Sequence, residues 1–400
     1  MLQFYCFLNR ISMPTERQYP WHHPKFWSWT IQSLVLLCVG VGVVFCGVNL
    51  TANLQQKQLS FGFDFLQSQA GFNIGEAAIA YQPTDPYAKA LWVGLLNSLR
   101  IMGLGIVLAT ILGLSIGIMR LSTNWLVRRL AGLYVEILRN TPLLLQLVFW
   151  YFAVFVSGPP FEQRLRLWGD LSFSQRGLLL PQVTLHPLLP WLVCTGIGLV
   201  LGRWVWTVQQ RRRLEQSEPT NPWFLATVMV VFWECIAWVI TKAPPVTVQW
   251  PMVDANQRIQ AGELLTPEYS ALLLGLVFYT AAFIAEIVRG GILAVPKGQW
   301  EAARSLGLPP GLTLRLVILP QALRVIIPPL TSQYLNLAKN SSLAIAVGYP
   351  DLYAVASTTF NQTGRAIEVI LLLMATYLVI SLLIALGMNY YNRRIQIVER

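Results

Sequence analysis

Between two apolar stretches the chain reads PKGQWEAARSLGLPPGLTLRLVILPQALR, from Pro296 to Arg324. Good helix formers around Glu301 predict a short helix, and the GLPPG cluster that starts at Gly307 predicts a break directly after it. The two alanines that follow Glu301 leave little side-chain bulk, so another surface could approach this helix closely. Glu301 and Arg304 offer one charge of each sign for pairing. The segment is typical of a docking element, although a surface loop between two membrane spans has a similar composition.

The composition indicates a membrane protein. Hydrophobic residues make up 55% of the 400 residues and charged residues 12%, and the mean hydropathy is +0.52. This leaves too little polar surface for a soluble protein of this size. A helix needs about 20 apolar residues to cross the hydrocarbon of a bilayer. We therefore predict an all-α, polytopic membrane protein with about eight transmembrane helices, at residues 28–50, 91–119, 133–157, 188–207, 222–241, 269–292, 326–347 and 368–391.

The basic residues predict the orientation of these spans. With both termini in the cytoplasm, most of the 29 basic residues fall in cytoplasmic tails and loops, as the positive-inside rule requires. The segment around Glu301 then also lies in the cytoplasm. The net charge of +11 reflects this topology and makes anionic membrane lipid a natural neighbour. No aromatic and basic module for binding nucleic acid is visible.

Residues for covalent chemistry are not evident in the sequence. The five cysteines are scattered and suggest neither a disulfide framework nor a metal site. No pairing of a nucleophile with a base appears, and we expect no catalytic residue and no cofactor in this chain. The phosphate loop GxxxxGK[ST] is also missing, so hydrolysis of ATP would require another protein.

Polar residues inside the predicted spans are candidates for a transport pathway, because a charge in hydrocarbon normally faces the bundle interior or water. Asn336, Lys339 and Asn340 share one helix face, and Glu286 and Arg289 share another. If its helix enters the membrane near Val325, the first set lies about 16 to 22 Å deep, near the middle of the bilayer. The second set lies toward the cytoplasmic end of its span, where a gating role and local ion pairing are both open.

The docking segment carries a family motif. Glu301, Ala302, Ala303, Gly307 and Pro320 occur at the spacing E-A-A-x3-G-x9-I-x-L-P, with valine in place of the usual isoleucine. This pattern resembles the loop of permease subunits in ATP-binding-cassette importers. The resemblance implies that these five residues couple the chain to a cytoplasmic ATPase.

Four further motifs narrow the resemblance to the long form of the polar amino-acid permeases of the histidine, glutamine and general amino-acid type. They are NSLR from Asn97, RNTPLLLQ from Arg139, EIVRGG from Glu286 and LNLAKNSSLA from Leu335. The resemblance implies a type I importer (MetI-like) core in the bacterial inner membrane that moves polar L-amino acids inward. It also implies cytoplasmic ATP-binding subunits, a periplasmic or lipid-anchored solute-binding protein, and a second permease, which we expect to be related but not identical.

The chain divides into four segments on this basis. Residues 1–86 hold a cytoplasmic segment, the first span and a periplasmic loop, and residues 87–157 hold the first part of the permease core. Residues 158–265 form an insertion with two extra spans, which we interpret as a peripheral scaffold. Residues 266–400 complete the core and include the coupling loop 297–324. A secondary transporter and a structural membrane subunit remain the alternatives, although neither a sequence repeat nor a pair of mid-span carboxylates favours the former.

Overall fold

A computed structural model describes residues 24–56, 61–168, 171–185, 188–216, 222–254 and 257–395. The chain forms two compact units, Met1–Phe65 and Leu66–Arg400. The first unit contains helix α1 (Pro24–Gln56), whose apolar stretch is long enough to cross a membrane. The predicted cytoplasmic segment before α1 lies outside the described residues.

The second unit consists mainly of helices. Its α-helices are α2 (Tyr87–Met119), α3 (Trp125–Asn140), α4 (Leu143–Val148), α5 (Leu188–Gln216), α6 (Pro222–Thr241), α7 (Pro267–Leu293), α8 (Lys297–Ser305), α9 (Pro310–Leu312), α10 (Leu319–Asn340), α11 (Leu352–Thr363) and α12 (Ala366–Ile395). In the described part of the chain, seven helical segments are long and apolar enough to span a membrane, or eight if α3 and α4 form one span. The predicted helical membrane class and the approximate number of spans are confirmed.

The span predicted at residues 133–157 is sharply bent and is not one continuous helix. Helix α3 ends at Asn140, and the chain turns by 106° before α4, which continues as a π-helix to Val156. The cause is local, because the residue before a proline is pushed out of the helical conformation. Thr141 precedes Pro142 and is extended, with φ −101° and ψ 128°.

The core of the bundle is the contact between α2 and α7. Gly113 and Gly117, one turn apart on α2, let the two backbones approach closely. A Cβ atom at Gly113 would lie 2.6 Å from Cβ of Ile284, and one at Gly117 would lie 2.9 Å from the carbonyl oxygen of Ala285. Both α7 residues are fully buried. Substituting either glycine would therefore force the two helices apart.

Helix α10 begins earlier than the sequence predicts. It starts at Leu319 rather than near 326, and a π-helical turn, Thr313–Ile318, leads directly into it. Pro328 and Pro329 thus lie inside the helix and not in its first turn. The helix ends at Asn340 and continues as a 3₁₀ helix to Val347. Because α10 starts before Val325, its first residue does not mark where the helix enters the membrane, and the predicted depth of its polar residues stays a prediction.

The insertion contains strands that the sequence analysis did not predict. The strands are β1 (Leu165–Trp168), β2 (Leu171–Ser174), β3 (Gly177–Leu180), β4 (Gln182–Leu185), β5 (Val246–Gln249), β6 (Met252–Val253), β7 (Ile259–Ala261) and β8 (Glu263–Leu265). They form an antiparallel sheet in the order β1-β2-β3-β8 and two antiparallel pairs, β4–β5 and β6–β7. The two extra spans predicted here correspond to α5 and α6, which pack on each other.

Candidate functional site

Helix α8 is anchored on one face and exposed on the other. Ala303 is 3% exposed, and Trp300 packs against an apolar cluster that includes residues of α2, α7 and α10. Glu301 and Ala302 are exposed, and so is Leu306, which follows the helix and is 79% exposed. The predicted docking helix thus exposes Glu301 and Ala302 to solvent or a partner, while its opposite face packs on the bundle.

Gly307 ends α8 in a conformation that suits glycine. Its φ of +72° is left-handed, a region that side chains disfavour. The amide of Gly307 donates to the carbonyl of Arg304 at 2.9 Å, and the amide of Leu308 donates to the carbonyl of Ala303 at 3.1 Å. These are the two hydrogen bonds of a Schellman cap. The break predicted at this glycine is confirmed.

Helix α8 is tied directly to the start of α10. The side-chain amide of Gln321 donates to Oε1 of Gln299 at 3.1 Å and to the carbonyl of Val317 at 3.0 Å. Pro320, the last residue of the family motif, is the second residue of α10. A displacement of α8 therefore acts on the beginning of α10.

The far part of α10 carries a polar face. Ser332, Asn336 and Lys339 are exposed and Asn340 is half-buried, whereas Leu337 on the opposite side is fully buried. Among the described residues, the side chains of Asn336, Lys339 and Asn340 have no hydrogen-bond or ion-pair partner. The three predicted pathway residues thus share one unpaired, polar surface.

This polar face lies level with the middle of α2. Leu337 approaches Gly105, where a Cβ atom would lie 3.4 Å from the leucine side chain, and Ala338 packs with Met102. One turn earlier, the hydroxyls of Tyr334 and Thr110 are 2.8 Å apart. Gly105 is close to the midpoint of α2, so the polar face is remote from both ends of that helix.

Glu286 and Arg289 form an ion network with Arg120, the residue directly after α2. Arg289 Nη2 lies 2.5 Å from Glu286 Oε1, and Arg120 Nη1 pairs with Glu286 Oε2. We call these three residues the α8-end network, because α7 leads from them into α8. Arg120 is 15 residues from Gly105, or about 22 Å along α2. The structure therefore keeps this predicted pair apart from the polar face of α10.

A second polar cluster lies where the first half of α2 meets the start of α7, and the sequence analysis did not identify it. Arg100 pairs with Glu76 at 3.1 Å and with Glu263 at 2.5 Å, and its guanidinium lies 4.6 Å from the centre of the Tyr269 ring. We call Glu76, Arg100 and Glu263 the strap cluster, because Glu76 belongs to the segment that precedes α2. The available signal was Arg100 itself, a charge inside a predicted span.

Asn97 and Glu76 hold this segment in place. The amide nitrogen of Asn97 donates to the carbonyls of Glu76 and Pro350, both at 2.8 Å, and its oxygen accepts from the amide of Ala78 at 3.1 Å. Thr266 donates its hydroxyl to Glu76 Oε2 at 2.6 Å. Burial raises the pKa of Glu76, and the nearby carboxylates Glu268 and Glu263 add to this effect.

Asp351 caps α11 directly after the 3₁₀ helix that continues α10. Its Oδ1 accepts from the amide of Ala354 at 2.8 Å, while its Oδ2 is buried without a hydrogen-bond partner among the described residues. Burial raises the pKa of Asp351 to about 7. The described residues contain no group of three His, Cys, Asp or Glu side chains that could hold a metal ion.

Comparisons with known proteins point to one family. A family model described as binding-protein-dependent transport system inner membrane component matches residues 220–397. The putative amino-acid ABC transporter permease protein YhdX of Escherichia coli (strain K12) is 46% identical over 384 residues, covering 94% of this chain and 96% of that protein.

Two further relatives match over nearly their whole length. The general L-amino acid transport system permease protein AapQ of Rhizobium johnstonii is 42% identical, with 95% of this chain and 94% of that protein covered. The glutamate/glutamine/aspartate/asparagine transport system permease protein BztB of Rhodobacter capsulatus is 40% identical, with 94% and 95% covered.

Proposed function

This chain belongs to the permease subunits of polar amino-acid ABC transporters, and from that premise we propose that it carries polar L-amino acids into the cytoplasm, driven by a separate ATPase through α8. It is a multi-pass inner-membrane protein, and subunits of its family are not themselves enzymes. The relatives YhdX, AapQ and BztB are all named for amino-acid transport, which supports the substrate class. Family membership decides against a secondary transporter and a structural subunit.

The observation that carries the proposal is the continuous link from α8 to the polar face of α10. Helix α8 exposes Glu301 to a partner, Gln299 holds α8 to Gln321 at the start of α10, and α10 ends in the polar residues around Lys339. ATP binding draws the partner subunits together and displaces α8. The displacement reaches the polar face because α10 moves together with α8. Coupling of this kind requires that α8 make different contacts in the ATP-bound and the ATP-free state.

The polar face suits a zwitterionic cargo. An amino acid carries an ammonium and a carboxylate, and both lose hydration when they enter the bundle. The amides of Asn336 and Asn340 replace part of that hydration, and the ammonium of Lys339 faces the carboxylate of the cargo. Because these groups have no partner among the described residues, they are free to make such contacts. Amides bind weakly enough for release.

The α8-end network acts as the gate on the cytoplasmic side. Glu286 joins α7 to the end of α2 through Arg120 and to its own helix through Arg289. Opening the bundle at this end separates Arg120 from Glu286, which then keeps Arg289 as its partner. The network therefore adds resistance to opening without leaving the carboxylate unpaired.

The remaining features follow from the same proposal. Both termini and α8 lie in the cytoplasm, where ATP is available, and the periplasmic side receives cargo from a solute-binding protein. A related but non-identical permease supplies the other half of the pathway. The chain itself holds no cofactor, because the ATPase partner binds the nucleotide.

Reconstitution tests the proposal. The permease, its partner permease, the ATPase and the binding protein are assembled in proteoliposomes, and uptake of labelled glutamine, glutamate and histidine is measured with and without ATP. We expect uptake that requires ATP and the ATPase, and loss of uptake in Glu301→Lys with assembly intact. Arg176→Gln, which changes one charge in the insertion, is the matched control. Uptake without the ATPase, or normal uptake by Glu301→Lys, contradicts the proposal.

A further inference from the structure

An open groove lies on the outer surface of the α5–α6 hairpin. It measures about 640 Å³ and is lined mainly by apolar atoms, with one charged side chain. One side of the groove is lined by residues of α5, namely Leu199, Gly202, Arg203 and Trp206. The other side is lined by residues of α6, namely Trp223, Ala226, Thr227 and Val230. Gly202 brings the helices together, since a Cβ atom there would lie 3.1 Å from the carbonyl oxygen of Ala226. The groove follows the seam between two membrane spans.

Arg203 is the unusual member of this lining. It lies within the candidate span Leu189–Arg211, its side chain is exposed, and no carboxylate pairs with it among the described residues. An arginine at membrane depth is costly unless an anion or water reaches it, and such residues mark functional positions. The hairpin therefore presents an unsatisfied guanidinium beside an apolar groove.

Two tryptophans place this guanidinium close to the membrane surface. The rings of Trp206 and Trp223 are 6.1 Å apart, and tryptophan is enriched where the hydrocarbon meets the headgroups. Arg203 precedes Trp206 by three residues, or about 4.5 Å of helix rise. A side chain as long as arginine snorkels across that distance. The Arg203 guanidinium thus reaches the depth of lipid phosphates.

Arg211, on the same helix, lies beyond the tryptophan pair. It is exposed and follows Arg203 by eight residues, about 12 Å farther toward the hairpin end. Each basic residue at this level raises the local concentration of anionic lipid about fivefold. Arg203 differs from Arg211 in having the groove beside it, so only Arg203 can hold a headgroup while the acyl chain is also accommodated.

We propose that this groove is a binding site for one anionic phospholipid, with the phosphate on Arg203 and an acyl chain along the seam between α5 and α6. Guanidinium and phosphate form charge-assisted hydrogen bonds, and the apolar lining between Leu199 and Val230 matches a hydrocarbon chain. The lipid fills the seam and supplies the missing anion. It thereby holds the inserted hairpin in one place at the membrane surface.

Native mass spectrometry of the full transport complex tests this site. The complex is released from nanodiscs that contain phosphatidylethanolamine and a minority of phosphatidylglycerol, and the retained lipids are counted. We expect one phosphatidylglycerol to remain bound to the wild type. Arg203→Gln should reduce that retention about fivefold, the effect of one basic residue near the surface. Arg203→Lys should restore a substantial part of it.

Two variants separate the site from general electrostatics. Arg211→Gln removes a charge from the same helix outside the groove and should keep the lipid. Thr227→Trp keeps every charge but fills the groove from an exposed position, so this variant should lose the lipid. The test therefore remains decisive even if Arg203→Gln folds poorly. Equal losses in Arg203→Gln and Arg211→Gln, or unchanged retention in Thr227→Trp, overturn the proposal. So do equal retention of phosphatidylethanolamine and displacement of the lipid by inorganic phosphate.

Discussion

Replacing Gly307 with alanine should weaken the coupling of ATP hydrolysis to transport. The residue has a φ of +72° and forms the cap that ends α8. Nothing lies within 4 Å of a Cβ atom built at this position, so the substitution introduces no collision. Its whole effect comes from backbone conformation.

The free-energy cost of the substitution follows from the left-handed φ of this residue. A non-glycine residue in the left-handed region costs about 1–2 kcal/mol. This changes the ratio of capped to uncapped α8 about 5- to 30-fold. The apolar core is untouched, because Gly307 is exposed and both cap hydrogen bonds, from the amides of Gly307 and Leu308, go to carbonyls of α8. We therefore expect a loss of coupling that exceeds the loss of folding.

Gly298 provides a matched control. It lies in the first turn of the same helix, has no atom within 4 Å of a built Cβ, and has no positive φ. Gly298→Ala should stabilise α8 by about 0.5–1 kcal/mol. In proteoliposomes, we expect fewer amino acids moved per ATP hydrolysed in Gly307→Ala and an unchanged ratio in Gly298→Ala. Unchanged coupling in Gly307→Ala, or equal loss in both variants, refutes the role of the cap.

Three further predictions concern other parts of the site. Lys339→Met should reduce uptake severalfold while the ATPase still co-purifies, and normal uptake would assign Lys339 to packing. Glu286→Gln leaves Arg120 beside Arg289 without their shared carboxylate and should lower stability by about 1–3 kcal/mol in thermal unfolding, whereas Glu301→Gln on exposed α8 should change it by less than about 0.5 kcal/mol. Burial raises the pKa of Asp351 to about 7, so the folded state favours the protonated carboxyl, and the stability that this protonation adds is complete below about pH 3.8 and is lost as the pH rises through 7. The melting temperature should therefore fall from pH 5 to pH 8 in the wild type and change less in Asp351→Asn. Parallel curves for the two proteins would contradict this.

Local signals made the coupling helix predictable. Good helix formers around Glu301 and the glycine and proline residues after it act within one or two turns, so the sequence alone gives the helix and its end. Pro142 carried an equally local signal, the exclusion of Thr141 from helical conformation, but the apolar composition of residues 133–157 concealed the bend.

The strap cluster could not be found in the same way. Glu263 is 163 residues from Arg100, and Pro350 is 253 residues from Asn97, so these contacts depend on how α2, α7 and α10 pack. The strands of the insertion are short, and β8 pairs with β3 although the α5–α6 hairpin separates the two strands in the sequence. Nothing in either local segment specifies its partner. Tertiary packing decides both features.

Thiol labelling of Asn336→Cys, with the five native cysteines replaced by serine, tests most directly whether α8 drives the polar face of α10. A small water-soluble thiol reagent is applied to the reconstituted complex with and without ATP, and Ala338→Cys on the buried side of α10 serves as the control. We predict that labelling at 336 changes with nucleotide, that Glu301→Lys abolishes this change, and that position 338 stays unlabelled. Labelling at 336 that is absent or identical in every nucleotide state would contradict the account.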